Sequence, residues 1–360
     1  MAADGPLHAR DALREHLLAG QVIPAHPLAL TSRRTLDEHR QRGLTRYYID
    51  AGAGGIAVAV HTTQFEIRRP EHALLRPVLE LAADASRERR AGGTTPFLLV
   101  AGAVGETRQA VAEAELAASL GYDMVLLSLG ALREASDDAL LAHCSAVSEV
   151  LPLFGFYLQP AVGGRVLGYD FWRRLAGNER MWAIKIAPFN RYRTLDVVRA
   201  VSDAGRDDLA LYTGNDDSIL LDLLTPFPVR TASGVRTRHI VGGLLGQWAV
   251  WTRGAVRLME RVRAVRAGTA TEGELMELLR LNAALTDANA AIFDAAHDFA
   301  GCIPGIHEVL RRQGLLEGTW CLNPGETLSP GQLAEIDRVE AAYGDLLGSE
   351  GPTQSSRRSV

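Results

Sequence analysis

Short apolar runs, each closed by a small or polar residue, recur along the first two thirds of the chain. They begin at Val22 (VIPAHPLAL), Gly55 (GIAVAV), Pro96 (PFLLVAG), Met124 (MVLLS), Leu153 (LFGFYLQ), Met181 (MWAIKIA), Leu209 (LALYTGN) and His239 (HIVGGLLG), a nearly even spacing with one longer interval after Gly55. Between them lie segments such as TRQAVAEAELAASLG and RTLDVVRAVSDAG, whose apolar positions recur at three and four, as a buried helix face requires. Eight strands alternating with helices, at the even spacing of successive βα units, predict an α/β protein of the (β/α)8 TIM barrel type, rather than an open doubly wound sheet. The unbroken apolarity of the runs agrees, because a parallel barrel strand is buried on both faces. After Trp251 the pattern turns wholly helical. The expected layout is an N-terminal helix over 1–21, a barrel over 22–250, a C-terminal helical extension over 251–347 and a disordered polar tail over 348–360.

Composition narrows the class. The chain has 360 residues, 47% apolar and 22% charged, with a formal charge of −5 and mixed signs. This is globular composition with no basic footprint for nucleic acid. No run approaches the roughly 18–20 apolar residues of a membrane span, and the first residues have no apolar leader core. Three scattered cysteines (Cys144, Cys302, Cys321) suit a reducing compartment, so the expected location is cytoplasmic. The ten histidines show no HxH or HExxH spacing and no glycine run has a nucleotide-loop pattern, so no metal and no cofactor is expected. The Arg68-Arg69, Arg87–Arg90 and Arg261–Arg266 clusters read as solvated helix faces or ends.

The 38 basic residues contain one lysine, Lys185. Where arginine serves every other cationic need, a retained lysine points to chemistry that a permanently protonated guanidinium cannot perform, namely amine nucleophilicity. Barrel active sites lie at the carboxyl ends of the strands. Lys185 stands inside the sixth run between Ile184 and Ile186, where burial is expected to lower its pKa from about 10.4 to about 7–8. A neutral amine there attacks a ketone and forms a Schiff base; the plainer role is a lysine extending its head to the barrel rim. Tyr157, one βα unit earlier, is the expected proton partner, or else a packed core tyrosine. At the second strand's end, Thr62 and Thr63 offer hydroxyl and N–H donors to a carboxylate.

These residues together resemble the dihydrodipicolinate synthase and N-acetylneuraminate lyase family of class I, Schiff-base-forming aldolases. The family's Gly-Thr-Thr-Gly-Glu motif corresponds to His61-Thr62-Thr63-Gln64-Phe65. Its tyrosine strand with a proline three residues on corresponds to Tyr157-Leu158-Gln159-Pro160 and the following Gly163-Gly164. Its apolar-Ile-Lys strand corresponds to Ala183-Ile184-Lys185, and its Gly-Asp-Asp to Gly214-Asn215-Asp216-Asp217 with one insertion. The resemblance implies that Lys185 forms an imine with pyruvate or another 2-oxo acid and that Tyr157 relays protons. It also implies that Thr62, Thr63 and Gly214 bind substrate, and that the protein is a homo-oligomer, a dimer or tetramer.

The departures bear on specificity. The fourth-strand Pro-Tyr-Tyr segment is replaced by Ser128-Leu129-Gly130-Ala131-Leu132, without tyrosine. Val162 stands where the synthase keeps an arginine, with Arg165 nearby as a substitute. His61 replaces the first motif glycine, either as an acid/base or carboxylate donor or as a packed, hydrogen-bonded residue. The expected function is a lyase for aldol cleavage or condensation. A Schiff-base dehydratase of a sugar acid, and a barrel that binds a 2-oxo acid without turnover, are the alternatives.

Overall fold

The structure is a computed structural model that describes residues 5–92, 95–232 and 234–348; the expected tail beyond Gly348 lies outside the described residues. Its strands are β1 Val22–Pro24, β2 Gly55–Val58, β3 Leu98–Ala103, β4 Met124–Leu127, β5 Leu153–Leu158, β6 Met181–Ala187, β7 Ala210–Thr213, β8 Phe227–Thr231, β9 Gly234–Arg238 and β10 Gly242–Leu245. Eight are parallel, in the order β1-β10-β7-β6-β5-β4-β3-β2. A bridge between Ala25 and Ala57 joins the two ends of this sheet, with the His26 N–H donating to the Ala57 carbonyl at 2.8 Å. The result is a TIM barrel, with one strand from each of the eight apolar runs.

Two features depart from the sequence pattern. The first run yields only a three-residue strand, because Pro24 and Pro27 have no N–H to continue a ladder. Its remainder, Leu28 to Leu30, is buried without being paired in the barrel. Between β7 and β10 the single helical crossover expected there is a short helix, Ile219–Leu224, followed by the β8–β9 hairpin.

Alternation along the strands divides the core into two shells. Ile23, Leu98, Val100, Leu126, Phe154 and Leu244 fill the barrel interior. Ile56, Leu99, Val125, Tyr157, Ile184 and Leu211 face the surrounding helices. The helix Gly5–Leu18 closes the amino end: the Tyr212 hydroxyl donates to the Leu17 carbonyl at 2.7 Å and accepts from the Gln21 N–H at 3.0 Å. The other end is the one left open for chemistry.

The C-terminal helices Thr252–Arg266, Glu272–Ile292, Cys302–Arg312 and Gln332–Leu347 pack beside the barrel and over its carboxyl end. The Asn282 side-chain oxygen accepts from the Leu220 and Leu221 N–H groups at 3.1 and 3.2 Å, tying the long helix to the β7 exit. Among the described residues no helix is long and apolar enough to cross a membrane.

Two of the arginine clusters are not simply solvated. Arg266 donates to the Leu223 and Val241 carbonyls, and Arg263 to Gly20. Arg68 is buried: its Nε meets both Glu113 oxygens at 3.0 Å, while its Nη2 donates to the Ala59 and Gly102 carbonyls at 3.0 and 2.9 Å. This pair braces β2 against β3 just below the open end. Losing one partner of a buried pair strands the other charge. Arg68→Met is therefore expected to lower unfolding free energy by about 3–5 kcal/mol in urea titration, and Arg69→Met, at an exposed position, by less than about 0.5 kcal/mol.

Candidate active site

Lys185 lies on β6 opposite Phe156 of β5 and Tyr212 of β7. Its amine stands 4.6 Å from the Phe156 ring centre and faces a cavity at the carboxyl end of the barrel. His61, Thr62, Gln159, Gly214 and Asp216 supply polar parts of the wall; Phe156, Phe189, Phe293, Phe299 and Ile306 are among its carbon surfaces. Among the described residues nothing hydrogen-bonds or ion-pairs with the amine. Burial holds its pKa down to about 8, against the attraction of the Asp216 carboxylate.

The placement of Lys185 depends on Gly214. The Gly214 N–H donates to the Ile186 carbonyl at 2.8 Å, which presses this turn against β6. A Cβ on Gly214 would lie 2.6 Å from Lys185 Cε and 2.7 Å from Ala187 Cβ, so the amine's path exists only because that side chain is missing. The turn is fixed from behind. The buried Asp222 carboxylate accepts from the Thr213 hydroxyl at 2.7 Å and the Asn215 amide at 2.8 Å, and it pairs with Arg191. Asn215 Oδ1 accepts from the Phe189 N–H at 3.0 Å, locking the β6 exit to the β7 exit. The extra residue of the Gly-Asn-Asp-Asp segment is thus a structural tie.

Asp216 follows on the same turn and accepts from the Gln247 N–H at 3.4 Å. Burial raises its pKa to about 7, with Lys185 acting in the opposite direction. Across neutral pH the amine and the carboxyl group therefore exchange the acid role between them, and their titration belongs to the pair. Burial also takes His61 down to about 4, assisted by the Lys185 charge, so its imidazole is neutral and provides one N–H rather than a cation.

The structure does not bring all of the expected site residues together. Tyr157 does not share the cavity with Lys185. It is fully buried on the opposite face of β5 against Trp172, with ring centres 5.3 Å apart, and its phenol oxygen accepts from the Leu167 N–H at 3.2 Å. The cause is local. Leu153 pairs with Met181, but the next residue, Phe154, pairs with Ala183, and the shifted register persists to Phe156 opposite Lys185. The residue passed over, Trp182, reverses the parity, so Phe156 instead of Tyr157 shares the lysine's face. The Thr63 hydroxyl donates to the His26 carbonyl at 2.6 Å, and Thr63 is not part of the cavity wall; Thr62 is, its hydroxyl 3.2 Å from the same carbonyl. Arg165 donates to the Leu132 and Ala135 carbonyls and so clamps the fourth-strand loop. Val162 does line the cavity.

The C-terminal region, expected only as an extension, roofs the site through Phe293, Phe299, Cys302 and Ile306. No motif marks these residues, and only their aromatic and aliphatic character in a helix-rich stretch hinted at a buried role. Among the described residues no group of three or more His, Cys, Asp and Glu side chains is arranged to hold a metal ion.

This geometry separates two substitutions. Tyr157→Phe is expected to leave the rate of borohydride trapping of pyruvate within about twofold of the parent, while stability falls by about 1–2 kcal/mol through the stranded Leu167 N–H. Gly214→Ala is expected to reduce trapping at least about tenfold, read by intact mass, because the new methyl group displaces the lysine chain.

Residues 19–339 match the model of the Dihydrodipicolinate synthetase family. A 4-hydroxy-tetrahydrodipicolinate synthase from Cyanothece sp. is 26% identical over 248 residues, 68% of this chain and 79% of that one. Its counterpart from Acaryochloris marina is 33% identical over 143 residues, 39% of this chain and 46% of the other. Solved structures share the fold. A prophage protein of the dihydrodipicolinic acid synthase family from E. coli K12, in complex with pyruvate, superposes with a TM-score of 0.70 at 17% identity over 91% of this chain and 98% of its own. The Clostridium difficile protein CdNal, in complex with mannosamine, gives 0.71 at 16% identity over 90% of this chain and 99% of its own. With the family model spanning nearly the whole barrel and its C-terminal helices, the chain belongs to the dihydrodipicolinate synthetase family.

Proposed function

We propose that this protein is a Schiff-base lyase in which Lys185 captures the ketone carbon of pyruvate or a related 2-oxo acid, for aldol cleavage or condensation. The observation that carries the reading is the Lys185 amine, unpaired and depressed to about 8 at the edge of a carbon-lined cavity. The amine adds to the carbonyl, and loss of water gives the imine. The imine then withdraws electrons from the neighbouring C–C bond. Thr62 and the neutral His61 N–H lie beside the cavity and suit the acid's carboxylate. Asp216 takes the proton-carrying role, since burial raises its pKa well above the usual carboxylate range and it faces the same space. The chemistry requires neither a metal nor a cofactor. A homo-oligomer, dimer or tetramer, in the cytoplasm completes the proposal.

The outward-facing phenol favours one other reading, a barrel that binds a 2-oxo acid without turning it over. Trapping alone does not separate the two; product release does.

Borohydride with pyruvate is expected to add one reduced pyruvate to the chain and none to Lys185→Arg; an unmodified parent chain across a panel of 2-oxo acids would overturn the proposal. Turnover should follow a bell about neutral pH, because the reactive pair of neutral amine and protonated carboxyl group carries one proton between them, and that singly protonated state is most abundant there. In Asp216→Asn the pair is broken, and the rate should rise to a plateau with the titration of Lys185 alone. The falling limb disappears and kcat drops by about 10²–10⁴. A pH–rate profile of the two proteins checks both outcomes.

A further inference from the structure

The lysine cavity does not end at its aromatic wall. Phe189, Phe293 and Phe299, together with Asp216, also border a second cavity. It is completed by residues of the long C-terminal helix, among them Thr286, Asn289 and Ala290. Phe189 and Phe299 meet at a ring-centre distance of 5.9 Å, so the partition between the two spaces is a pair of phenyl rings.

That partition is held in place against local backbone preference. Phe189 has φ of 48° and Phe299 of 68°, both in the left-handed region that bulky residues avoid. Each is fixed by a named contact: the Phe189 N–H by Asn215, and the Phe299 N–H by the Asp294 carbonyl at 3.0 Å. Asp294 in turn accepts from the Gly301 N–H at 2.9 Å and the Ser329 hydroxyl at 2.5 Å. Strain of this kind persists only where surrounding structure over-determines it, and here it sets two rings beside the reacting amine.

The second space is almost wholly carbon at its surface although polar residues border it. Asn289 donates to the Asp216 carbonyl at 2.6 Å and the Thr286 hydroxyl lies 2.7 Å from the Asp217 carbonyl. Among the described residues no guanidinium lines either cavity, and Lys185 supplies the ammonium there. A second carboxylate or a phosphate would meet no further cation, and in the second space a polyhydroxylated chain would lie mainly against carbon, since Asn289 and Thr286 already turn their donors to backbone carbonyls.

Resting on the lyase reading, we propose that the second half of the substrate is an aromatic or bulky alkyl aldehyde unit whose apolar group sits against Phe189, Phe293 and Phe299. In the synthetic direction the imine loses a C3 proton to become an enamine. Its C3 forms a bond to the aldehyde carbon, and the aldehyde oxygen takes up that proton. Water then hydrolyses the imine and releases a 4-hydroxy-2-oxo acid bearing the apolar group at C4, with no oxidant or reductant involved.

The test is cleavage by the full chain of 4-hydroxy-2-oxo-4-phenylbutanoate, of a 3-deoxy-2-oxo sugar acid, and of the analogue with carboxymethyl at C4, read as pyruvate released. The expected result is a kcat/KM for the phenyl compound at least about tenfold above either polar one. Phe299→Ser should reduce that preference about tenfold or more. A preference for either polar compound, or no cleavage of the phenyl compound by a protein that traps pyruvate on Lys185, overturns this inference and leaves the imine reading standing. Failure to trap pyruvate overturns both. Should Phe299→Ser not fold, the three-compound comparison on the parent chain decides alone.

Discussion

An ammonium group withdrawn from water beside phenyl rings, with one buried carboxyl group across the cavity, is the arrangement on which everything else in this protein depends. Burial pushes the amine toward neutrality and the carboxyl group toward protonation, so each group moves into the range where it can hand over a proton at physiological pH. Neither shift needs a specific hydrogen bond to the amine. It requires only that the space around them stay dry, which explains why so much of the wall is phenylalanine and aliphatic carbon.

The surrounding structure serves that arrangement by fixing where the strands end. The Asp222 network holds the turn containing Gly214 and Asp216, and Asn215 links that turn to the segment carrying Phe189. The Arg68–Glu113 pair does similar work on the other side of the mouth, joining the β2 and β3 exits through two backbone carbonyls. Both devices set a buried charge among several hydrogen-bond partners, which offsets the cost of withdrawing it from water.

Much of this was legible in the amino-acid sequence, and what was missed has physical reasons. The even recurrence of apolar runs located all eight barrel strands, because each βα unit must bury one of them. The solitary lysine stood out because composition removed every competitor. Spacing counts units but cannot count parity: a separation of one βα unit places Tyr157 one strand from Lys185 without saying which way either side chain points. One extra residue at Trp182 was enough to exchange a phenol for a phenyl ring. The β8–β9 hairpin went unread because its alternating charged positions resemble a solvated connection. The roof residues went unread because helices Glu272–Ile292 and Cys302–Arg312 carry no motif and reach the mouth only through tertiary packing.

The position of that roof has a consequence for how the chain comes into being. The barrel strands are all synthesised by Leu245, yet Phe293, Phe299, Cys302 and Ile306 lie well downstream, beyond two further helices. Until they dock, the mouth lacks these carbon surfaces, and the burial that lowers the Lys185 pKa is incomplete. The surroundings of the amine are therefore completed last, by the part of the chain that follows the barrel.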